Sequence, residues 1–321
     1  MSKHQGYKIL NSEELSSVSN EEINWLVKDL LPATGTSIIG AAPKTGKSVL
    51  ARQLCAAVNN GDLFLGRETV QGPALYFSTQ ESPEKIVNHF RRMGYGTMPP
   101  VIAERQVDCH NAVEELDATL EINPGFKLVV IDMIADFLPI TDVNDYQETR
   151  KVFAGIAALA DKHQLHIAVT HHNKKMKQEN SVHDLLGSTA MPGGVDQIII
   201  LSVDRSKNRY IDTHQRYGES IEETAINWNA DRMMMFLGKA TSELAQELKD
   251  VAKERVDQAV LTFIMNNPGC QRSQVLAKVN GDQNTKAAAL EFFQQSGMVL
   301  RSGTGKRGDP FTYRETQLQT V

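Results

Sequence analysis

The stretch TSIIGAAPKTGKSVLARQL, residues 36 to 54, limits the possible folds of this chain more than any other. A β-branched run leads into Gly46-Lys47-Ser48, after which Leu50, Leu54 and Val58 recur on one helical face. Strand, glycine-bearing loop and helix is the context in which G-x-x-x-x-G-K-[ST] forms a phosphate cradle. Backbone N–H groups and the helix N-terminus face the phosphates, the lysine neutralises them, and the hydroxyl meets Mg2+. One position departs from the pattern: five residues separate Gly40 from Gly46, so Ala41 stands where the first glycine belongs. That glycine mainly permits backbone torsion, and Ala41 beside Gly40 is a tolerable substitute. The expected nucleotide-binding segment is Ala41, Ala42, Pro43, Lys44, Thr45, Gly46, Lys47, Ser48 and Val49, with Lys44 a second cation near phosphate.

Around this motif, short apolar runs alternate with helical patterns from 36 to about 238. Strands are expected at 36–41, 73–79, 127–133, 165–170 and 196–203, and helices include 47–59 and 149–163. Unbroken runs such as Leu128-Val129-Val130-Ile131 suit strands covered on both faces, as in a parallel sheet. RYIDT, ETAINWN and RMMMFLG are spaced like an antiparallel meander at the sheet's edge. The fold class is α/β with a mixed, mainly parallel sheet. Residues 1–31 form an N-terminal segment in which Ile23, Leu26, Val27, Leu30 and Leu31 share one face of an expected amphipathic helix. Residues 32–238 make the main domain, 239–255 a charged linker helix, and 256–321 a separate small unit. That unit reads as three helices followed by a β-hairpin, the winged-helix order.

Bulk composition narrows the setting. No run of eighteen apolar residues occurs, and the start MSKHQGYKIL lacks the apolar core of a secretory signal. Cys55, Cys109 and Cys270 suggest neither a disulfide framework nor zinc, so the expectation is a cytoplasmic protein with no membrane partner. Net charge is −5, but from Val251 onward nine Lys and Arg face six Asp and Glu.

Three further stretches carry chemistry. Asp132 ends the run KLVVID, where an acid orients Mg2+ or its waters. In ALYFSTQES, a strand expected beside the P-loop strand ends at Gln80 and Glu81. Glu81 reads either as a base polarising the attacking water or as a helix N-terminal charge before Ser82-Pro83. The strand expected at 165–170 ends in His171-His172-Asn173-Lys174-Lys175, followed by a polar loop and Gly187-Ser188-Thr189, where a polar group can sense the γ-phosphate. Neither the pair His171 and His172 nor His163 with His166 has the acidic or cysteine company of a zinc site.

In this order and spacing, NWLVKDLLPATGTSIIGAAPKTGKS, FLG, ALYFSTQES, KLVVIDM, THHNKK, GSTAMPGGVDQIIIL and HQRYGES resemble the RecA-fold ATPases over about residues 22–238. The likeness is closest to the group containing the plasmid replicative helicase RepA. It implies ATP and Mg2+ as ligands, with Lys47 and Ser48 as the P-loop pair and Ser48 and Asp132 at the metal. It further implies His172 as sensor and Arg216 as a finger reaching a neighbour's γ-phosphate in a hexameric ring, with Arg205 and Arg209 as nearby alternatives. One departure concerns rate. The family's glutamate at the end of the second strand aligns with Gln80, whereas RadA- and KaiC-like relatives carry a Glu-Glu pair whose second member would be Glu81.

GTGKRG, 303–308, satisfies G-x-G-x-x-G but runs into Asp309-Pro310 and a strand, so it does not open a dinucleotide-binding helix. It reads as a hairpin wing carrying Lys306 and Arg307, with Arg301 on its flank, either for phosphate contacts or as a solvated turn. Lys174, Lys175 and Lys177 fall where RecA-fold proteins place mobile DNA-gripping loops. The expected activity is that of an ATP-dependent, ring-forming helicase or translocase on single-stranded DNA, working beside replication or recombination proteins of a plasmid, phage or mobile element. The alternative is a RecA-, RadA- or KaiC-like ATPase that assembles on DNA as a mediator or switch without unwinding.

Overall fold

The computed structural model describes residues 11–12, 23–137, 146–172 and 194–316. Lys174, Lys175, Lys177 and Gly187-Ser188-Thr189 lie outside them. The chain divides into two compact units, Met1–Ala240 and Thr241–Val321.

The larger unit is built on a nine-stranded sheet of order β11-β10-β9-β8-β3-β7-β6-β4-β5. Its strands are β3 Gly35–Ala41, β4 Ala74–Ser78, β5 Val101–Ala103, β6 Leu128–Asp132, β7 His166–His172, β8 Gln197–Val203, β9 Arg209–Gln215, β10 Thr224–Asn229 and β11 Met234–Ala240. Pairing is parallel from β8 across to β5 and antiparallel from β8 through β11. This is the mixed, mainly parallel α/β core expected of a RecA-like P-loop protein. Each central strand buries both faces, because successive side chains point to opposite sides. Ile39, Tyr76, Val130, Ala168 and Ile199 join α1 Lys47–Asn60 and α2 Pro83–Met93 in one core. Ile38, Phe77, Ile131, Val169 and Ile200 join α3 Ala112–Ile122 and α4 Tyr146–His163 in the other.

Two expectations are corrected here. The strand carrying Gln80 and Glu81 is not beside the P-loop strand: β4 pairs with β6, and β7 lies between β6 and β3. The segment around 22–31 is not a helix but a hairpin, β1 Trp25–Val27 with β2 Leu31–Pro32, turning at Asp29 with φ 54°. Residues 68–70 supply its backbone partners, with the Lys28 N–H donating to Glu68 O and the Val70 N–H to Leu26 O. Pro32 also biases Leu31 away from helical torsions. Of the apolar set, Leu26, Val27, Leu30 and Leu31 are buried, whereas Ile23 is exposed.

His166 shows how tightly the start of the parallel sheet is specified. Its fully buried ring bridges Pro32 O and Ser37 Oγ, each at 2.9 Å, and burial pushes its pKa down to about 4. The unfolded imidazole titrates near 6.5, so below that pH the unfolded chain takes up a proton that the native state refuses. This contribution to stability is complete above about pH 6.5 and is lost, on the order of 3 kcal/mol, as pH falls to about 4. Urea titrations of the wild type and His166→Gln at pH 7.5 and 5 check this. The variant is expected to lose less stability between the two pH values, and equal losses would refute the assignment.

The smaller unit begins with one helix, α5 Thr241–Asn266. The linker helix expected over 239–255 and the helix expected after it are therefore continuous, and residues 239–240 belong to β11. No Gly or Pro interrupts 241–266; the helix ends just before Pro268 and Gly269, whose φ is 86°. There follow β12 Cys270–Gln271, α6 Arg272–Lys278, α7 Gln283–Gln295, β13 Val299–Ser302 and β14 Thr312–Glu315, the strands in antiparallel order β12-β14-β13. Val260, Ile264, Val275, Leu290, Phe293, Val299 and Tyr313 form its core. Among the described residues no helix is long and apolar enough to cross a membrane.

Candidate nucleotide site

The site lies at the C-terminal ends of the parallel strands, where open α/β sheets place their ligands. β3 ends at Ala41, and the loop to α1 makes its left-handed turns at Lys44, φ 64°, and Gly46, φ 117°. Ala41 itself is a buried strand residue, which explains why the position tolerates a side chain. At Gly46 the φ of 117° strains any side chain, and a Cβ there would also displace the end of Met235, whose Cε lies 2.2 Å from its position. Met235 is fixed by Gln53 of α1, which exchanges two 2.9 Å hydrogen bonds with its backbone N–H and carbonyl. The edge strand β11 thus buttresses the loop.

Lys47 is buried and donates to Ala41 O at 2.9 Å and Ala42 O at 3.1 Å, with its Nζ 2.7 Å from His172 Nδ1. Burial lowers its pKa to about 8, partly offset by the Asp132 carboxylate. His172 is shifted down by burial and by Lys47, which suits a neutral ring accepting from the ammonium. Asp132 ends β6 facing the same cavity. Its Oδ2 accepts from the Tyr76 hydroxyl at 2.5 Å and its Oδ1 from the Thr170 hydroxyl at 2.6 Å. Lys44, Gly46, Lys47, Ser48, Val49, Gln80, Asp132, Met133, Thr170 and His172 together enclose about 210 Å³.

The structure brings Lys47, Ser48, Asp132 and His172 together, but not Glu81. Its Oε1 accepts from Arg52 Nη2 at 2.6 Å, while the neighbouring Gln80 lines the cavity. Glu81, expected either as a base or as a helix N-terminal charge, has its carboxylate held here by a buried guanidinium that also meets His89 Nδ1 at 2.7 Å and stacks on Tyr76. Arg216 does not join the cavity of its own chain either. It follows β9 at the end where β8 begins, with its guanidinium 3.5 Å from Asp196 Oδ1. Arg209, at the other end of β9, donates from Nε to Thr45 O at 3.2 Å.

Tyr76, Thr170 and Arg52 are site residues that the sequence reading passed over. Parity is the signal that could have found one of them, because Thr170 lies two residues before His172 and shares its face of β7. His163 and His166 are engaged elsewhere, His163 with Asp117 Oδ1 at 2.7 Å.

The donor set fits a nucleotide phosphate. No side chain caps the N-terminus of α1, so its first-turn N–H groups face the cradle beside the Lys47 ammonium. It also fits a divalent cation, with Ser48 and the doubly oriented Asp132 carboxylate both lining the cavity. The AAA domain family model matches residues 6–178, more than half of the 321-residue chain, and the chain belongs to that family of P-loop ATPases. No curated protein matches the chain significantly.

In the smaller unit, Arg301 stacks over Phe311 at 4.3 Å, while Lys306 and Arg307 are exposed at the tip of the β13–β14 hairpin. The tip is a built turn: the Gly305 N–H donates to Asp309 O at 2.9 Å and the Thr304 N–H to Asp309 Oδ2 at 2.8 Å. Lys286 of α7 is buried and donates to Leu276 O at 2.6 Å and Val279 O at 3.1 Å, so it closes the end of α6.

Proposed function

We propose that this chain is an ATP-hydrolysing, ring-forming motor that moves on or remodels single-stranded DNA, with the smaller unit a winged-helix module that touches nucleic acid. The observation that carries the proposal is the convergence of Lys47, Ser48, Asp132 and His172 at the P-loop of an AAA family sheet, in a chain that also presents a basic hairpin.

Within that reading each residue has a task its surroundings support. Lys47 and the uncapped start of α1 bind the β- and γ-phosphates of ATP, and Ser48 and Asp132 hold Mg2+. The cation, when bound, neutralises charge on the transferring phosphoryl group. His172, 2.7 Å from Lys47, senses the γ-phosphate at the end of β7 and hands its presence to the residues that follow. Arg216 lies at the sheet end opposite its own P-loop, a placement that supports a role in a neighbour's site and hence a ring, with a hexamer the expected size. Arg301, Lys306 and Arg307 neutralise DNA phosphates without reading sequence.

A second reading, an ATPase that assembles on DNA without unwinding it, is favoured by one observation. The cavity is lined by Gln80, and the adjacent carboxylate is tied to Arg52. ATP turnover with and without single-stranded DNA, followed by strand displacement, separates the two. DNA-stimulated turnover with displacement is expected. Stimulation without displacement would move the assignment to the second reading, and no turnover at all would overturn both. Mass measurement with ATP and DNA tests the ring.

A further inference from the structure

Gln80, which lines the cavity, is joined to Asp136, to which the P-loop reading gives no task. Gln80 is the exposed residue just beyond β4, and it lines the cavity with Lys47, Ser48 and Asp132. Its Nε2 donates to Asp136 Oδ2 at 3.3 Å. A carboxylate accepts and does not donate, so this contact fixes which end of the amide is which and leaves Oε1 as the amide's acceptor. Asp136 is itself held. Thr79 Oγ1 donates to the same Oδ2 at 2.5 Å, and Thr79 Oγ1 accepts from the Met133 N–H at 3.0 Å. Thr79 is anchored in turn to the end of β6, its N–H donating to Asp132 O at 2.9 Å. A chain of hydrogen bonds therefore runs from the backbone beside Asp132 through Thr79 and Asp136 to the Gln80 amide.

We infer that Gln80 is a catalytic residue that orients the attacking water through Oε1, and that Asp136 is the positioning residue that fixes its amide. The inference rests on the proposed ATP hydrolysis. An amide cannot take a proton from water at neutral pH, so its contribution is alignment. The water oxygen forms a bond to the γ-phosphorus as the bond from that phosphorus to the β,γ-bridging oxygen breaks, and ADP leaves with the electron pair. One water proton passes to an oxygen of the released phosphate and exchanges with solvent. In the loose transition state of phosphoryl transfer little proton transfer is needed early, and a glutamine in this position suffices for slow turnover. Relative to a carboxylate base, the arrangement trades rate for control, because any movement of the Asp132–Asp136 turn disorders the water.

The test measures ATP turnover and the affinity of a fluorescent non-hydrolysable ATP analogue across five variants. For Gln80→Ala, kcat is expected to fall about 100-fold, the effect of losing alignment at the reacting centre, with KM and analogue affinity within about twofold. Asp136→Asn is expected to lower kcat comparably without weakening the analogue, and Asp136→Glu to recover part of it, which loss of a merely structural contact would not do. Gln80 and Asp136 lie near the surface, so thermal unfolding of each variant is expected to match the wild type. Turnover of Gln80→Ala within twofold of the wild type would overturn the inference, as would a gain of tenfold or more in Gln80→Glu, which would mean that a base is missing rather than replaced. A hundredfold loss in Glu81→Gln with Gln80→Ala unaffected would return the role to Glu81. If the wild type binds the analogue but hydrolyses no ATP, the proposed hydrolysis fails; if it turns over and ignores Gln80, only this inference does.

Discussion

Lys47→Ala is expected to weaken ATP binding by about 100-fold or more and to abolish measurable turnover, while the nucleotide-free protein stays folded. Two charge-assisted hydrogen bonds to phosphate are together worth about 3 kcal/mol or more, and each 1.4 kcal/mol is about tenfold in affinity. The pH profile gives a second signature. Burial lowers the ammonium to a pKa of about 8. Phosphate favours its charged form, so above about pH 8 binding must take up a proton. Affinity of the wild type is expected to fall as pH rises from about 8, by up to about tenfold per unit, and the alanine variant to lack that limb. The same shift argues that the variant folds. A lysine whose native pKa lies below its unfolded value of 10.5 is a group whose charge the native state disfavours at neutral pH. Titration with a fluorescent ATP analogue between pH 7 and 9.5 reads both effects. Turnover that survives the substitution would remove Lys47 from the site.

Much of this architecture was legible because the strands are covered on both faces and so announce themselves as unbroken apolar runs. KLVVIDM became Leu128–Asp132 and DQIIILSV became Gln197–Val203 with little adjustment. Lys47, Ser48, Asp132 and His172 could be grouped in advance because each sits at a strand's C-terminal end or the helix start after one. Neighbour relations were not legible. Which strand lies beside which is decided by crossovers and long-range pairing, and the strand before Gln80 proved to adjoin Asp132 rather than the P-loop. The segment from Trp25 to Pro32 misled for a local reason: over so short a window, apolar spacing suits a helix as well as a two-strand hairpin. Side-chain partners were hidden for a related reason. Nothing in YFSTQES says that the carboxylate of Glu81 meets an arginine 29 residues earlier while the amide of Gln80 meets Asp136.

Asp132→Asn is expected to lower turnover by about 100- to 1000-fold, the scale of losing one preorganised charge contact at a reacting phosphoryl group, and to raise the Mg2+ requirement sharply. The geometry makes the variant informative. Both carboxylate oxygens already accept a hydroxyl proton, from Tyr76 and from Thr170, which leaves the remaining lone pairs for the cation or its waters. Asparagine keeps the shape, and one hydroxyl can reverse to accept from its amide, so folding survives and the loss is one of charge. Tyr76→Phe and Thr170→Val make the complementary change, keeping the charge and releasing one oxygen each. They are expected to weaken Mg2+ by about 10- to 100-fold with turnover largely restored at saturating metal. An Asp132→Asn protein with unaltered Mg2+ dependence would place the cation elsewhere. A metal-free readout comes from the lysine beside it. Asp132 raises the Lys47 pKa against the lowering by burial. Without that negative charge the ammonium is lost at lower pH, and the alkaline limb of ATP affinity, measured without Mg2+, is expected to move below about 8. A limb that stays in place would show that the two residues do not share one electrostatic site.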